Sequence, residues 1–93
     1  MRLSDSEVQK IKTKVQSIFG VAVVYLFGSR VDDTKKGGDI DLYIVPNNSD
    51  DLFRNKMQIK TMLEDILYKP VDIVIATNQK RLIEKEALQG III

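Results

Sequence analysis

Three aspartates that interrupt or adjoin apolar segments are the residues of this chain best suited to chemistry. Asp39 and Asp41 begin an apolar segment that runs to Val45, and Asp72 lies inside a second one. Because strand side chains alternate between faces, Asp39 and Asp41 are predicted to share a face, with Cα atoms roughly 6–7 Å apart. If the two strands are neighbours, Asp72 joins them, and three carboxylates gather on one face of a sheet.

Carboxylates that converge in this way repel one another, which raises their pKa values unless a positive charge compensates. A hard divalent cation such as Mg²⁺ is the simplest compensator, and two such ions can hold the oxygens of a phosphoryl or nucleotidyl transfer. The sequence contains no His and no Cys, which excludes imidazole bases, catalytic triads and thiolate zinc sites. An Asp-x-Asp pair alone is more often a surface feature. Asp41 and Asp72 point to a site because an unpartnered Asp in an apolar strand is costly.

A glycine and a serine follow the first apolar segment, ahead of the aspartates. Gly28 allows a ligand to approach the main chain closely, and the following amides with the Ser29 hydroxyl suit phosphate oxygens. Taken by themselves, the same two residues are better explained as an ordinary strand-ending turn. Three cations follow them, Arg30, Lys35 and Lys36, which either neutralise a triphosphate or form a solvated loop.

Helical and strand-like segments alternate along the chain and have to position these residues. Ser4 and Glu7 form a capping box, and apolar residues follow at helical spacing as far as Gly20, which suits a helix end. Three apolar, β-branched segments predict strands. The predicted elements are a helix over 4–20, strands over 21–27, 40–45 and 71–76, a long helix from a cap at Asp50 to near Tyr68, and a last helix from a cap at Asn78 to Gly90 with Leu82, Ile83 and Ala87 facing inward.

The order α-β-β-α-β-α predicts a small mixed α/β (α+β) sheet packed against helices. We expect the first two strands to be antiparallel, and the second and third to be parallel and joined by a right-handed helical crossover. Three isoleucines at 91–93 are predicted to form a short extra strand, to pack in the core, or to contact a partner.

Size and charge limit the function classes further. The 93 residues predict a single domain over 1–93, and 44% apolar with 29% charged residues is typical of a globular chain. With 14 basic and 13 acidic residues, the net charge of +1 disfavours general nucleic-acid binding. Because no apolar run has membrane-spanning length and the start lacks a signal-peptide pattern, we expect a cytoplasmic protein.

These segments together resemble the nucleotidyltransferase superfamily that includes DNA polymerase β. The pattern of that superfamily is a strand, Gly-Ser, a loop of about ten residues, Asp-hydrophobic-Asp on a second strand, and a third acid on a later strand. In this chain Gly28-Ser29 is followed by nine residues, then by Asp39 and Asp41 around an isoleucine, and later by Asp72. The resemblance implies a minimal nucleotidyltransferase fold.

The resemblance also implies roles for these positions. Asp39 and Asp41 would bind Mg²⁺, as two ions in the family pattern, with ATP as the substrate. Asp72 would complete the metal site and take the proton of the acceptor hydroxyl. Gly28 and Ser29 would hold the β- and γ-phosphates.

The size resembles the minimal nucleotidyltransferases that are encoded beside a HEPN-domain protein. This resemblance implies an antitoxin that transfers AMP from ATP to a tyrosine of its partner, a HEPN-type RNase toxin, in a hetero-oligomer. Because the chain has little beyond the catalytic module, a protein acceptor is expected. Two alternatives remain open: a small-molecule nucleotidyltransferase acting as a dimer, and a module that neutralises its partner by contact. The second stays open because the chain has Val31-Asp32-Asp33 where many relatives carry Arg-Gly.

Overall fold

The computed structural model describes residues 3–31, 38–47, 50–77 and 80–93, except for the side chain of Ser29. Lys35, Lys36 and Asn78, to which the sequence assigned roles, lie outside the described residues. The predicted order of helices and strands is confirmed, with a short 3₁₀ helix and a fourth strand in addition. The elements are α1 (Asp5–Phe19), β1 (Ala22–Phe27), the 3₁₀ helix (Gly28–Val31), β2 (Ile40–Pro46), α2 (Leu52–Leu67), β3 (Val71–Ile75), α3 (Leu82–Ala87) and β4 (Ile91–Ile92).

The four strands form one mixed sheet in the order β3-β2-β1-β4. β1 and β2 are antiparallel, and β2 and β3 are parallel with α2 as the connection, as predicted. β4 pairs antiparallel with β1. In this register Asp41 lies opposite Phe27 on one side and beside Asp72 on the other. The topology therefore brings the end of β1 and the starts of β2 and β3 to one end of the sheet.

The sheet has helices on both faces, because its strands are apolar on both. One face carries Leu26, Leu42, Ile73 and their neighbours, and it packs against buried residues of α1 and α2 to form the main core. The opposite face carries Phe27 and Tyr43, which pack against Ala87 of α3. In the part of the chain that the structure describes, none of the helices has the length and apolar character needed to cross a bilayer.

The helix ends agree with the sequence except at the start of α2 and at both ends of α3, which is shorter than predicted, with Arg81 as its N-cap in place of Asn78 and Leu88 as its C-cap ahead of Gly90. The Ser4 hydroxyl accepts from the Glu7 N–H at 3.1 Å, and the Glu7 carboxylate accepts from the Ser4 N–H at 3.0 Å, which confirms the capping box. Gly20, with φ +71°, ends α1 as predicted. The predicted cap Asp50 is wrong: the N-cap of α2 is Asp51, which has a left-handed φ of 52° and makes no side-chain cap bond.

The inward face of α3 also differs from the prediction. Leu82 and Ile83 are 84% and 39% exposed, whereas Glu84 and Ala87 are buried. Apolar character alone predicted the wrong stripe because Glu84 finds hydrogen-bond donors inside the fold, as described below. Ala87 does face inward, as predicted.

The three terminal isoleucines divide between a strand and the core. Ile92 in β4 is 62% exposed. Ile93 packs against the main core, and its N–H donates to the Val24 carbonyl at 3.0 Å. Gly90 allows this return, because a Cβ there would overlap the Leu26 carbonyl of β1. The extra strand is thus confirmed, and one of the three side chains contributes to the core.

Candidate active site

Gly28 and Asp41 form the closest contact between the end of β1 and the start of β2. Gly28 has a φ of +74°, which disfavours any L side chain. A Cβ at this position would overlap the carboxylate of Asp41. Two constraints therefore require glycine at this position: the left-handed main chain and the space that Asp41 occupies. As a result, the main chain of the turn lies directly beside that carboxylate.

Asp41 and Asp72 lie side by side on adjacent parallel strands. Asp41 is half-buried, and Asp72 is exposed, with 59% of its side chain accessible. Burial raises the pKa of the Asp41 carboxyl, and the negative charges of Asp72 and Asp39 raise it further, together with a hydrogen bond shared with Asp72. The structure thus brings two of the predicted carboxylates together, and an added positive charge would relieve the repulsion between them.

Asp39 stands at the margin of this pair. It is exposed and precedes β2, directly after Gly38, whose φ is +87°. Its charge contributes to the raised pKa of Asp41. Among the described residues, no group of three or more acidic, His or Cys side chains is close enough to hold a metal ion as it stands.

Arg30 lies in the 3₁₀ helix and is half-buried. Its Nη2 donates to the Gly38 carbonyl at 3.1 Å, so it connects the turn after β1 to the residue that precedes Asp39. Ser29 lies in the same 3₁₀ helix with its main chain described. The cation predicted to face a triphosphate therefore also ties together the two segments that carry the site.

Sequence reasoning missed two charged groups, one on each face of the sheet. Lys60 of α2 reaches the edge of the sheet, and its Nζ lies 3.9 Å from Asp72 Oδ1. Its spacing of four residues from Glu64 was the available signal. Glu84 of α3 is the other group, and no pattern in the sequence distinguishes it from an ordinary solvated glutamate.

Glu84 is completely buried, and its carboxylate accepts four hydrogen bonds from residues in the described part of the chain. Its Oε1 accepts from the Tyr43 hydroxyl and the Thr77 N–H, each at 2.8 Å. Its Oε2 accepts from the Thr77 hydroxyl at 2.9 Å and from Arg81 Nε at 2.7 Å. Burial alone would raise the pKa of Glu84, but these bonds, led by that from Arg81, outweigh it and lower the pKa to about 2. This carboxylate fastens α3 to the sheet.

The donor set at Asp41 and Asp72 fits a hard divalent cation. Mg²⁺ in proteins is commonly bound through one or two carboxylates with waters and substrate phosphates. Asp41 and Asp72 offer hard oxygen ligands whose mutual repulsion shows in the raised pKa of Asp41. The charge of Asp39 also raises the pKa of Asp41, and the Asp39 side chain is exposed, so Asp39 is the remaining candidate ligand.

Such an arrangement suits the transfer of a phosphate-containing group. Gly28 is exposed beside Asp41, where turn amides suit phosphate oxygens, and the carboxylates can hold a cation that neutralises such oxygens. Positioning and charge neutralisation dominate catalysis of such transfers, so a site of this kind does not require an imidazole or a thiol.

Comparison with known proteins places this geometry in a family. The family model described as polymerase beta, nucleotidyltransferase, matches residues 9–93. No curated protein matched the chain. The matched range begins within α1 and includes all four strands, the turn at Gly28 and the aspartates at 39, 41 and 72. With most of its length covered in this way, the chain belongs to the polymerase β nucleotidyltransferase family.

Proposed function

We propose that the protein is a Mg²⁺-dependent nucleotidyltransferase that moves AMP from ATP to a tyrosine of a HEPN-type RNase toxin and so acts as its antitoxin. The observation that carries the proposal is the juxtaposition of Asp41 and Asp72 beside the turn at Gly28. Membership of the family supports nucleotidyl transfer in general. The identity of the acceptor rests on the resemblance to the minimal members of that superfamily.

In the proposed reaction the tyrosine oxygen attacks the α-phosphorus of ATP. A bond forms between that oxygen and phosphorus, the bond from the α-phosphorus to the bridging oxygen breaks, and pyrophosphate leaves with the electron pair. Asp72, whose carboxylate is exposed, accepts the tyrosine proton. Asp39 and Asp41 would hold Mg²⁺ with Asp72, and the bound metal would supply charge neutralisation for the triphosphate.

Exposure of the site supports a macromolecular acceptor. Asp39 and Asp72 are both exposed at the end of the sheet, where a tyrosine carried by another protein can approach them. The net charge of +1 favours a protein over a nucleic acid as the acceptor. A cytoplasmic location, where ATP and Mg²⁺ are available, is part of the same proposal.

The direct test is intact mass spectrometry of the HEPN-type partner after incubation with this protein, ATP and Mg²⁺. We expect the partner to gain one or more AMP masses at tyrosine. Asp41→Asn should remove the gain, and Asp65→Asn, which makes the same change at an exposed position of α2, should retain it.

Two outcomes would contradict the proposal. An unchanged partner mass with the wild-type protein would exclude AMP transfer to that acceptor. Asp41→Asn that still protects cells from the partner would favour neutralisation by contact, the alternative that the Val31-Asp32-Asp33 segment supports. Labelled ATP with candidate small acceptors would detect the remaining alternative, a small-molecule transferase.

A further inference from the structure

An ion pair on α2 holds the first residue of the edge strand β3, directly before Asp72. The Glu64 Oε2 accepts from the Val71 N–H at 3.0 Å. Lys60 Nζ donates to the Val71 carbonyl and, at 3.3 Å, to the same Oε2 of Glu64. Both main-chain groups of Val71 are therefore bound by side chains from one helix.

This arrangement compensates for the position of β3 at the edge of the sheet. The Ile40 N–H donates to the Pro70 carbonyl at 3.0 Å, and the Ala76 N–H donates to the Ile44 carbonyl at 2.9 Å, so Pro70 and Ala76 direct these groups toward β2. By alternation, Val71 directs its own groups to the open side. Because main-chain groups at a sheet edge otherwise rely on water, the two side chains fix the start of β3.

Lys60 extends from this contact to the carboxylate of the next residue. Its Nζ lies 3.9 Å from Asp72 Oδ1, and its side chain is 34% exposed. Asp72 thus has a cation from α2 within reach and Asp41 beside it on the sheet. The attraction to Lys60 and the repulsion from Asp41 both act on the direction of the Asp72 carboxylate.

We propose that Lys60, supported by Glu64, is a positioning residue that holds Asp72 in the orientation in which it and Asp41 bind one divalent cation. The inference rests on the proposed function for the presence of that cation. Side chains that orient a metal ligand commonly change metal affinity by about 10- to 100-fold when they are removed. The effect of Lys60 is expected to act through Asp72, which separates it from a contribution to folding alone.

The sign of the effect distinguishes positioning from charge. If Lys60 acted only as a positive charge near the site, its removal would strengthen the binding of a divalent cation. If Lys60 positions Asp72, its removal weakens binding in spite of the lost positive charge. The matched control is Lys56, one turn earlier on α2, which is also partly buried and makes no ion pair in the described part of the chain.

The test measures Mn²⁺ binding to the full chain by electron paramagnetic resonance. Lys60→Met is expected to weaken Mn²⁺ affinity about tenfold, Lys60→Arg to stay within about threefold of the wild type, and Lys56→Met to bind like the wild type. Glu64→Gln, which retains an acceptor for the Val71 N–H but loses the ion pair, is expected to weaken affinity about threefold. This second variant keeps the test decisive if Lys60→Met fails to fold.

A double-mutant cycle then shows whether Lys60 acts through Asp72. Asp72→Asn is expected to weaken Mn²⁺ affinity about tenfold in the wild type but less than about threefold when Lys60→Met or Glu64→Gln is already present. Any one of three results would overturn the proposal. These are equal effects of Asp72→Asn in both backgrounds, tighter Mn²⁺ binding by Lys60→Met, and no Mn²⁺ binding by the wild type. If Lys60 and Asp72 are coupled in Mn²⁺ binding but the wild type transfers no AMP, the positioning role stands and the proposed function is contradicted.

Discussion

Two carboxylates on the α3 face of the sheet show opposite solutions to the same physical problem. Glu84 is completely buried and accepts hydrogen bonds from Tyr43, Thr77 and Arg81. Asp41 is half-buried, and its neighbours include the like charges of Asp72 and Asp39. Protein donors have satisfied Glu84, whereas Asp41 retains a repulsion that a cation would relieve. The contrast separates a carboxylate that stabilises the fold from one suited to bind a ligand.

The pKa values of these groups express the same contrast. Hydrogen bonds lower the pKa of Glu84 to about 2 in spite of its burial, and burial with the adjacent Glu84 raises the pKa of Tyr43 to about 12. For Asp41, burial and neighbouring carboxylates both act to raise the pKa. Folding therefore favours the ionised form of Glu84 and disfavours the ionised form of Asp41, and the following predictions test that difference.

The largest expected effect is the loss of transfer activity when Asp41, which lies beside the like charge of Asp72, is replaced. Asp41→Asn should lower the rate of AMP transfer about a thousandfold, because a ligand for the cation and its negative charge are removed. Single-turnover assays with the partner protein measure the rate. A loss of less than tenfold would remove Asp41 from the proposed machinery, and Asp65→Asn should remain within about twofold of the wild type as the matched change outside the site.

The next largest effect is a loss of stability when the hydrogen-bonded carboxylate of Glu84 is removed. Glu84→Ala should lower the free energy of unfolding by about 3 kcal/mol, because Tyr43, Thr77 and Arg81 all lose their acceptor. Urea denaturation monitored by circular dichroism measures this change. Lys85→Ala, at an exposed position of the same helix, is expected to change stability by less than about 0.5 kcal/mol. Equal effects of the two variants would contradict the role given to Glu84.

Acid should act on the Glu84 site in a defined pH range. The pKa of Glu84 falls from an ordinary 4.5 to about 2 on folding, so the unfolded chain binds more protons between these values. The stabilisation is complete above about pH 5 and is lost as the pH falls toward 2. Glu84→Gln should therefore show a shallower decline in unfolding free energy over that range. A slope identical to that of the wild type would contradict the lowered pKa.

The smallest expected effect is a gain in stability when the charge of Asp41 is removed. Without divalent cations, Asp41→Asn should be more stable than the wild type by about 1 kcal/mol, because it removes a partly buried like charge. Added Mg²⁺ should stabilise the wild type, by about 2.7 kcal/mol at one hundred times its dissociation constant, and should have little effect on the variant. Thermal unfolding with EDTA and with Mg²⁺ measures both. An Asp41→Asn variant less stable than the wild type under EDTA would contradict the repulsion.

The carboxylate pair could be predicted from the sequence because strand periodicity and chain connectivity carry the necessary information. Asp41 and Asp72 each interrupt an apolar strand, and a helix of sixteen residues joins the two strands, which favours a parallel neighbour. The cap at Ser4 and the turn at Gly20 were predictable for the same reason, since both depend on residues within one or two turns.

The errors at α3 arise from contacts between residues distant in the chain. Glu84 is forty-one residues from Tyr43, whose hydroxyl makes burial of the carboxylate possible. No local pattern indicates such a bond, so the apolar Leu82 and Ile83 were placed inward instead. Lys60 was missed for a similar reason, because its contact with Asp72 requires α2 to pack beside the edge of the sheet.

The sequence by itself determined the order of the elements, the two faces of the strands and the presence of carboxylates where β2 and β3 begin. These features follow from short-range periodicity and from the length of the connections. The tertiary structure alone decided which carboxylates are satisfied and which are not. That distinction depends on donors supplied by other elements, such as Tyr43 and Arg81 for Glu84. It makes Glu84 a structural group and leaves Asp41 beside Asp72 with a repulsion that a cation would relieve.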